Sequence, residues 1–300
     1  MVPNVTVAYE KGVDGAVNAT AVQDALDRAV KLAASSDAVI ITLGEPQDDS
    51  GEGNSKQNLE LPEAQYALLD RVLAANKNTA VVLFAGRPLA LRRLQETAPA
   101  ILLMWQPGTE GGNAAANLLF GKATPEGKLP MSFPAATGQC PIHYDSYRTG
   151  RPRWNDHQRA TYCSAYLDGP NAPLYPFGYG LSYTKFEYSN LTVSSETMAR
   201  GEKLTVSVTV KNTGEREGTE TVQLYVRDKI ASVVRPVKEL KGYQKVLLPA
   251  GGETQVVFEI HEEMLKFYNE NLEYAAEAGE FTAYVGGDSD CWQSVSFRLS

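Results

Sequence analysis

Apolar residues recur at helical spacing from Thr20 to Ala34 (Val22, Ala25, Leu26, Ala29, Val30, Leu32), with Asn18 and Thr20 placed for an N-cap, and the spacing predicts a helix. The run from Ala38 to Gly44 is continuously apolar and β-branched, which predicts a strand buried on both faces of a parallel sheet. The same grammar returns in a helix from Pro62 to Asn76, a strand from Thr79 to Phe84, a helix near Leu89 to Thr97, a strand from Ala100 to Trp105 and a helix from Gly111 to Phe120. Strand, loop and helix in alternation predict an α/β sandwich, a mostly parallel sheet flanked by helices. Its Gly-rich turns come after strands, where open α/β sheets place ligands. At the start Val5, Val7 and Tyr9 alternate as a strand already inside a fold, so the chain reads as cut from something longer.

After Gly121 the texture changes. A polar, aromatic stretch from Gly138 to Tyr183 has little periodicity, and loops this long are usually functional or pinned across another domain. From Ser189 onward the pattern has period two, as in Leu204 to Val210 and Thr221 to Val226, with turns at Asn212-Thr213-Gly214 and Pro249 to Gly252. That predicts an antiparallel β-sandwich of about a hundred residues. The expected division is 1–137 for the α/β domain, 138–188 for a long connecting region and 189–300 for the sandwich.

Composition narrows the partners. A formal net charge of −8 with no basic stripe disfavours nucleic acid. No apolar run is long enough to span a membrane. Cys140, Cys163 and Cys291 lack C-x-x-C spacing, and His143, His157 and His261 lack metal spacing, so neither a disulfide framework nor a metal site is expected. The turn Gly108 to Gly112 has no dinucleotide fingerprint and no phosphate-binding lysine, and no cofactor is expected.

The loop after the predicted strand that ends at Gly44 carries five carboxylates between Glu45 and Glu60. Composition alone makes it a solvated acidic loop. Glu52, however, stands between two glycines, a setting in which the backbone takes unusual dihedrals and approaches a ligand closely. A carboxyl held this way suits a general acid/base. Glu45, directly after the strand, is its rival. Lys56 either pairs with one of these carboxylates or is solvated. Trp105 either packs under the next helix or reaches a ligand, and packing is favoured. Tyr144, Tyr147, Arg148, Arg151, Trp154, His157 and Arg159 form an aromatic and basic loop of sugar-contacting residue types, or else a strap packed on another domain.

Taken together, several motifs resemble glycoside hydrolase family 3 over nearly the whole chain. They are Ser50-Gly51-Glu52-Gly53 leading to Leu59-Glu60-Leu61-Pro62, Gly86-Arg87-Pro88-Leu89, Trp105-Gln106-Pro107-Gly108-Thr109-Glu110, Gly127-Lys128-Leu129-Pro130, Thr149-Gly150-Arg151-Pro152 and Leu174-Tyr175-Pro176-Phe177-Gly178-Tyr179-Gly180. The last of these leads into a sandwich that resembles a fibronectin type III-like domain, as in bacterial β-glucosidases of the family. The resemblance implies a retaining hydrolase with Glu52 as acid/base, and Lys56, Trp105, Arg148 and Arg151 as candidate substrate contacts. It also implies a nucleophilic aspartate in an N-terminal (β/α)₈ barrel that these residues do not include.

The partners so implied are a β-glucoside or oligosaccharide, with β-xylosides next, and the barrel itself. Without that barrel the chain is expected to be inactive and to self-associate through the face the barrel would cover. The alternative is a noncatalytic carbohydrate-binding or scaffolding module of the same ancestry.

Overall fold

The computed structural model describes residues 5–13, 19–148, 150–151, 162–291 and 293–300. The chain folds as two compact units, Met1–Lys122 with Phe133–Cys140, and Ala123–Ser132 with Pro141–Ser300.

In the first unit the order is α1 (Ala19–Ala34), β1 (Val39–Gly44), α2 (Glu63–Ala75), β2 (Thr79–Phe84), α3 (Arg92–Thr97), β3 (Ile101–Leu103) and α4 (Gly111–Leu119). The three strands pair in parallel in the order β1-β2-β3, with Leu43 opposite Leu83 and Leu83 opposite Leu103. The central strand carries the core, with Val81, Val82 and Leu83 all buried. Helix α2 adds Tyr66, Leu68, Leu69, Val72 and Leu73, and α1 adds Ala25, Leu26 and Ala33. Charges tie the helices together: Arg93 of α3 donates to Glu63 (2.9 Å) and Asp70 (2.8 Å) of α2, and its guanidinium lies 4.4 Å from the centre of the Tyr66 ring. Asn76, just past α2, donates to Ala33 O and Ser36 O and so fixes the end of α1.

Three expectations need correction. Val5, Val7 and Tyr9 form no strand; all three are exposed, and alternation without a neighbouring ladder has nothing to pair with. Strand β1 is not buried on both faces either, because it lies at the edge of the described sheet. Ile41 and Leu43 are buried while Ile40 and Thr42 on the opposite face are exposed. The third helix starts only at Arg92, since Pro88 and the fully buried Leu89, Ala90 and Leu91 run as an apolar lead-in. Asn18 lies outside the described residues.

The second unit holds β4 (Phe186–Val193), β5 (Thr197–Met198), β6 (Lys203–Asn212), β7 (Gly218–Asp228), β8 (Glu239–Leu248), β9 (Glu253–His261), β10 (Phe267–Tyr268), β11 (Tyr274–Ala275), β12 (Gly279–Gly286) and β13 (Ser294–Leu299). One sheet has the order β5-β13-β12-β7-β8, the other β4-β6-β9, and β10 and β11 form a small hairpin. Period two decides the inside: Leu204, Val206, Val208 and Val210 of β6 meet Val222, Leu224 and Val226 of β7 and Phe258 and Ile260 of β9 in one core. Phe281 and Phe297 are cross-strand partners whose rings stack at 5.4 Å.

Strand β7 is buried on both faces, because the connecting segment covers its outer side. Tyr144 stacks on Phe177 (4.5 Å) and meets Tyr225 edge-on (5.7 Å), while Gln223 donates to Gly178 O and Gly287 O. Gly178 has φ +82°, and a Cβ there would fall 2.2 Å from Gln223 Oε1, so this crossing favours glycine. Leu129 pairs with Gly178 and Tyr179 through main-chain bonds of 2.8 Å, and Lys128 reaches Gly180 O (3.0 Å) and Glu220 (3.3 Å). The motif from Gly127 to Pro130 and that from Leu174 to Gly180 are thus two halves of one local structure.

Candidate active site

The loops after β1, β2 and β3 meet at the carboxyl ends of the strands. Their closeness is read from Gly86, where an added Cβ would fall 2.4 Å from Ser50 Oγ and 3.1 Å from Gln106 Nε2, one group from each neighbouring loop. Gly44 ends β1 at φ +147°, and a Cβ there would fall 1.9 Å from Phe84 O. The side chain of Gln65 in α2 brackets that glycine, accepting from its N–H (2.9 Å) and donating to its carbonyl (2.8 Å). The loop therefore leaves the sheet from a rigid point.

Glu45 follows at once, its N–H still donating to Phe84 O (3.0 Å). Its side chain is only 3% exposed and lies 3.2 Å from Arg87 Nε and 3.6 Å from Lys56 Nζ. Oε2 accepts from the Gly86 N–H at 3.3 Å. Oε1 is buried without an aligned hydrogen bond, so two neighbouring cations rather than a donor compensate it. Lys56 donates to Asp49 Oδ2 at 2.7 Å, and the Arg87 guanidinium donates to the Asp49 carbonyl. Gln47–Asp49 form one turn of 3₁₀ helix that sets Asp49 in place.

Beyond that turn the chain projects outward. Gly51 and Gly53 have φ +135° and +81°, dihedrals that disfavour a side chain, and they put Glu52 at an exposed turn. Asn54 closes the turn by donating from its N–H to Gly51 O (3.1 Å) and from Nδ2 to Asp48 O (3.0 Å). Among the described residues the Glu52 carboxylate has no hydrogen bond or ion pair. The two glutamates after β1 differ completely in setting: Glu45 is sequestered among cations, and Glu52 is open to an incoming ligand.

Trp105 was expected to end a strand, but β3 stops at Leu103; two residues further on, Trp105 has φ +52°, a conformation that a bulky residue takes only when its surroundings hold it there. It is half-buried and meets Phe133 edge-on at 5.6 Å. Arg148 and Arg151 belong to the second unit and are exposed. Loss of water around Arg148, and then the charge of Arg227, push its guanidinium below the usual range, and Arg151 lies 5.6 Å from the centre of the Tyr162 ring. Trp154, His157 and Arg159 lie outside the described residues. Arg87, Gln65 and Gln106 were not among the site residues expected from the sequence, and the Gly-Arg-Pro turn after β2 was the signal for Arg87.

The model of the glycosyl hydrolase family 3 C-terminal domain matches residues 2–183, well over half of the chain. The chain belongs to glycoside hydrolase family 3. A fibronectin type III-like model matches residues 220–289, within the sandwich, so the family's C-terminal α/β domain is followed here by that module. Among curated family members, a periplasmic beta-glucosidase of Salmonella typhimurium is 45% identical over 97% of this chain and 38% of its own length. A putative beta-xylosidase of Formosa agariphila is 38% identical over 92% of this chain and 36% of its own length. Among solved structures, a beta-glucosidase from Listeria innocua in complex with glucose superposes with a TM-score of 0.88 at 42% identity, covering 93% of this chain and 38% of that one. These 300 residues thus span a little over a third of the family 3 relatives they match.

Proposed function

We propose that this chain supplies the acid/base half of a retaining β-glucosidase, an enzyme that removes terminal non-reducing β-D-glucosyl residues, with Glu52 as the acid/base. The observation that carries the proposal is the contrast after β1: Glu52 is open at a glycine-flanked turn above the strand ends, while Glu45 is sequestered by Arg87 and Lys56. Glu52 as a carboxylic acid protonates the departing glycosidic oxygen, and as a carboxylate it then takes a proton from the water that releases the sugar. The nucleophile, set about 5–5.5 Å from it in a retaining enzyme, is an aspartate of the family's barrel. Trp105, Arg148 and Arg151 are the candidate sugar contacts. Lys56 serves the loop, through its bond to Asp49, rather than the sugar.

Because the family's nucleophile lies in the barrel, these residues alone are expected to be inactive. Ile40 and Phe120 of the first unit are exposed apolar side chains, and the free chain is expected to self-associate through surface of this kind. The test is release of nitrophenol from a nitrophenyl β-glucoside by the chain alone and combined with a family 3 barrel. Activity only in the combination is expected. Turnover by the chain alone would place the nucleophile within these residues, and silence in a demonstrably assembled mixture would leave a carbohydrate-binding or scaffolding module.

A further inference from the structure

We infer that Glu45, Arg87, Lys56 and Asp49 form a clasp that fixes the loop carrying Glu52, and that Glu45 acts in catalysis as a positioning residue. The inference rests on the reading of Glu52 as acid/base. The clasp is built on the sheet, not on the loop: Glu45 continues the β1–β2 ladder through its N–H, and Gly44 before it is held on both sides by Gln65. Arg87 stands in the loop three residues past the end of the neighbouring strand β2. From this base two cations reach the loop. Arg87 lies 3.2 Å from Glu45 and donates to the Asp49 carbonyl, and Lys56 lies 3.6 Å from Glu45 and donates to the Asp49 carboxylate at 2.7 Å.

Both arms end on Asp49, three residues before Glu52, and one of them starts from Lys56, four residues after it. Residues 50–55 are thereby closed into a lobe with Glu52 near its middle. Ser50 against Gly86 and Asn54 across the turn complete the closure.

The charges balance, two carboxylates against two cations. Glu45 is the member that makes the arrangement necessary, because its carboxylate is buried at 3% exposure and, beyond one bond from the Gly86 N–H to Oε2 (3.3 Å), the two cations compensate it. Removing any one charge leaves another uncompensated beneath the loop. The two glycines around Glu52 then have no restraint at the base of the lobe, and the carboxyl samples positions from which it cannot reach a leaving oxygen.

Loop order and catalysis are tested separately. In the chain itself, cleavage after Glu52 by a glutamate-specific protease, mapped by mass spectrometry, reads the opening of the lobe. Glu45→Gln, Arg87→Ala and the milder Lys56→Gln are expected to speed that cut about tenfold or more, with little change in exchange protection of the sandwich core.

In the assembly with a barrel, Glu45→Gln and Lys56→Gln are expected to lower kcat about 10–100-fold on a methyl β-glucoside, whose leaving oxygen needs a proton, with KM nearly unchanged. On a dinitrophenyl β-glucoside, whose leaving group departs unaided, the loss in the glycosylation step should nearly vanish. An unchanged cleavage rate would overturn the clasp. Faster cleavage with equal losses on both substrates would make it a structural device only. Glu52→Gln without that split between substrates would overturn the acid/base reading instead, while the cleavage rates would still decide whether the clasp holds the loop.

Discussion

Replacing Gly44 with alanine perturbs the point from which the loop carrying Glu52 leaves the sheet. The new methyl would fall 1.9 Å from Phe84 O and 2.8 Å from its carbonyl carbon, both main-chain atoms that no rotamer change moves away. The residue would also sit at φ +147°, which L side chains rarely adopt. Relief requires the last rung between β1 and β2 to open, which gives up the bond from Glu45 N–H to Phe84 O (3.0 Å) and loosens the pair with Gln65 (2.9 and 2.8 Å). Three hydrogen bonds at about 1 kcal/mol each and strain of about 1–3 kcal/mol, partly relaxed, put the expected loss at about 3–5 kcal/mol.

Urea unfolding followed by far-UV circular dichroism reads this in the first unit, with Gly112→Ala as the matched control. A Cβ at Gly112 in α4 meets nothing within 4 Å. The control is therefore expected to be neutral or stabilising by up to about 1 kcal/mol. A loss below about 1 kcal/mol for Gly44→Ala would mean that the strand ends yield easily and that Gly44 is not a rigid point.

Burial pushes the Asp228 carboxyl up to about 6, with the Ile230 N–H opposing. The native state then holds this proton more tightly than the unfolded chain, so the stabilisation is full below pH 4 and is lost as pH rises through 6. Partly screened by solvent, the group is worth about 1 kcal/mol, and Asp228→Asn should remove that slope from urea midpoints measured between pH 4 and 7. Asn212 is fully buried; its amide donates to Arg216 O (2.7 Å) and Leu248 O (3.0 Å) and accepts from Thr184 and the Gly214 N–H. Asn212→Ala should cost the sandwich about 3 kcal/mol by the same urea assay. Self-association of the free chain should appear in light scattering as a mass that rises with concentration, and a monomer throughout would oppose an open partner surface.

The regular elements were legible wherever a side-chain period has one meaning. Val22, Ala25, Leu26 and Ala29 can only be a helix face, and Leu204 to Val210 only a sandwich strand. Period fails where pairing decides: Val5, Val7 and Tyr9 alternate but have no neighbour, and the apolar run of β1 does not say that Ile40 and Thr42 lie on an open face. The site was half legible. Glycines on both sides of Glu52 announced an unusual turn, and its positive φ values are what such residues permit.

The setting of Glu45 was not legible, because its partner Arg87 is 42 residues away and only the parallel register of β1 and β2 brings their ends together. Trp105 was read as either packing or contacting a ligand; nothing local to it foretells a positive φ, which the loop after β3 imposes.

The most direct test of the account compares Glu52→Ala with Glu45→Ala in the chain assembled with a family 3 barrel, on a methyl and a dinitrophenyl β-glucoside, with and without azide. Loss of a general acid/base is expected to cut kcat on the methyl glucoside about 10²–10⁴-fold in Glu52→Ala. On the dinitrophenyl glucoside azide should restore turnover and yield the β-glucosyl azide, since the anion attacks the glycosyl-enzyme without base assistance. Azide rescue in Glu45→Ala, with none in Glu52→Ala, would contradict the account and make the buried glutamate the acid/base.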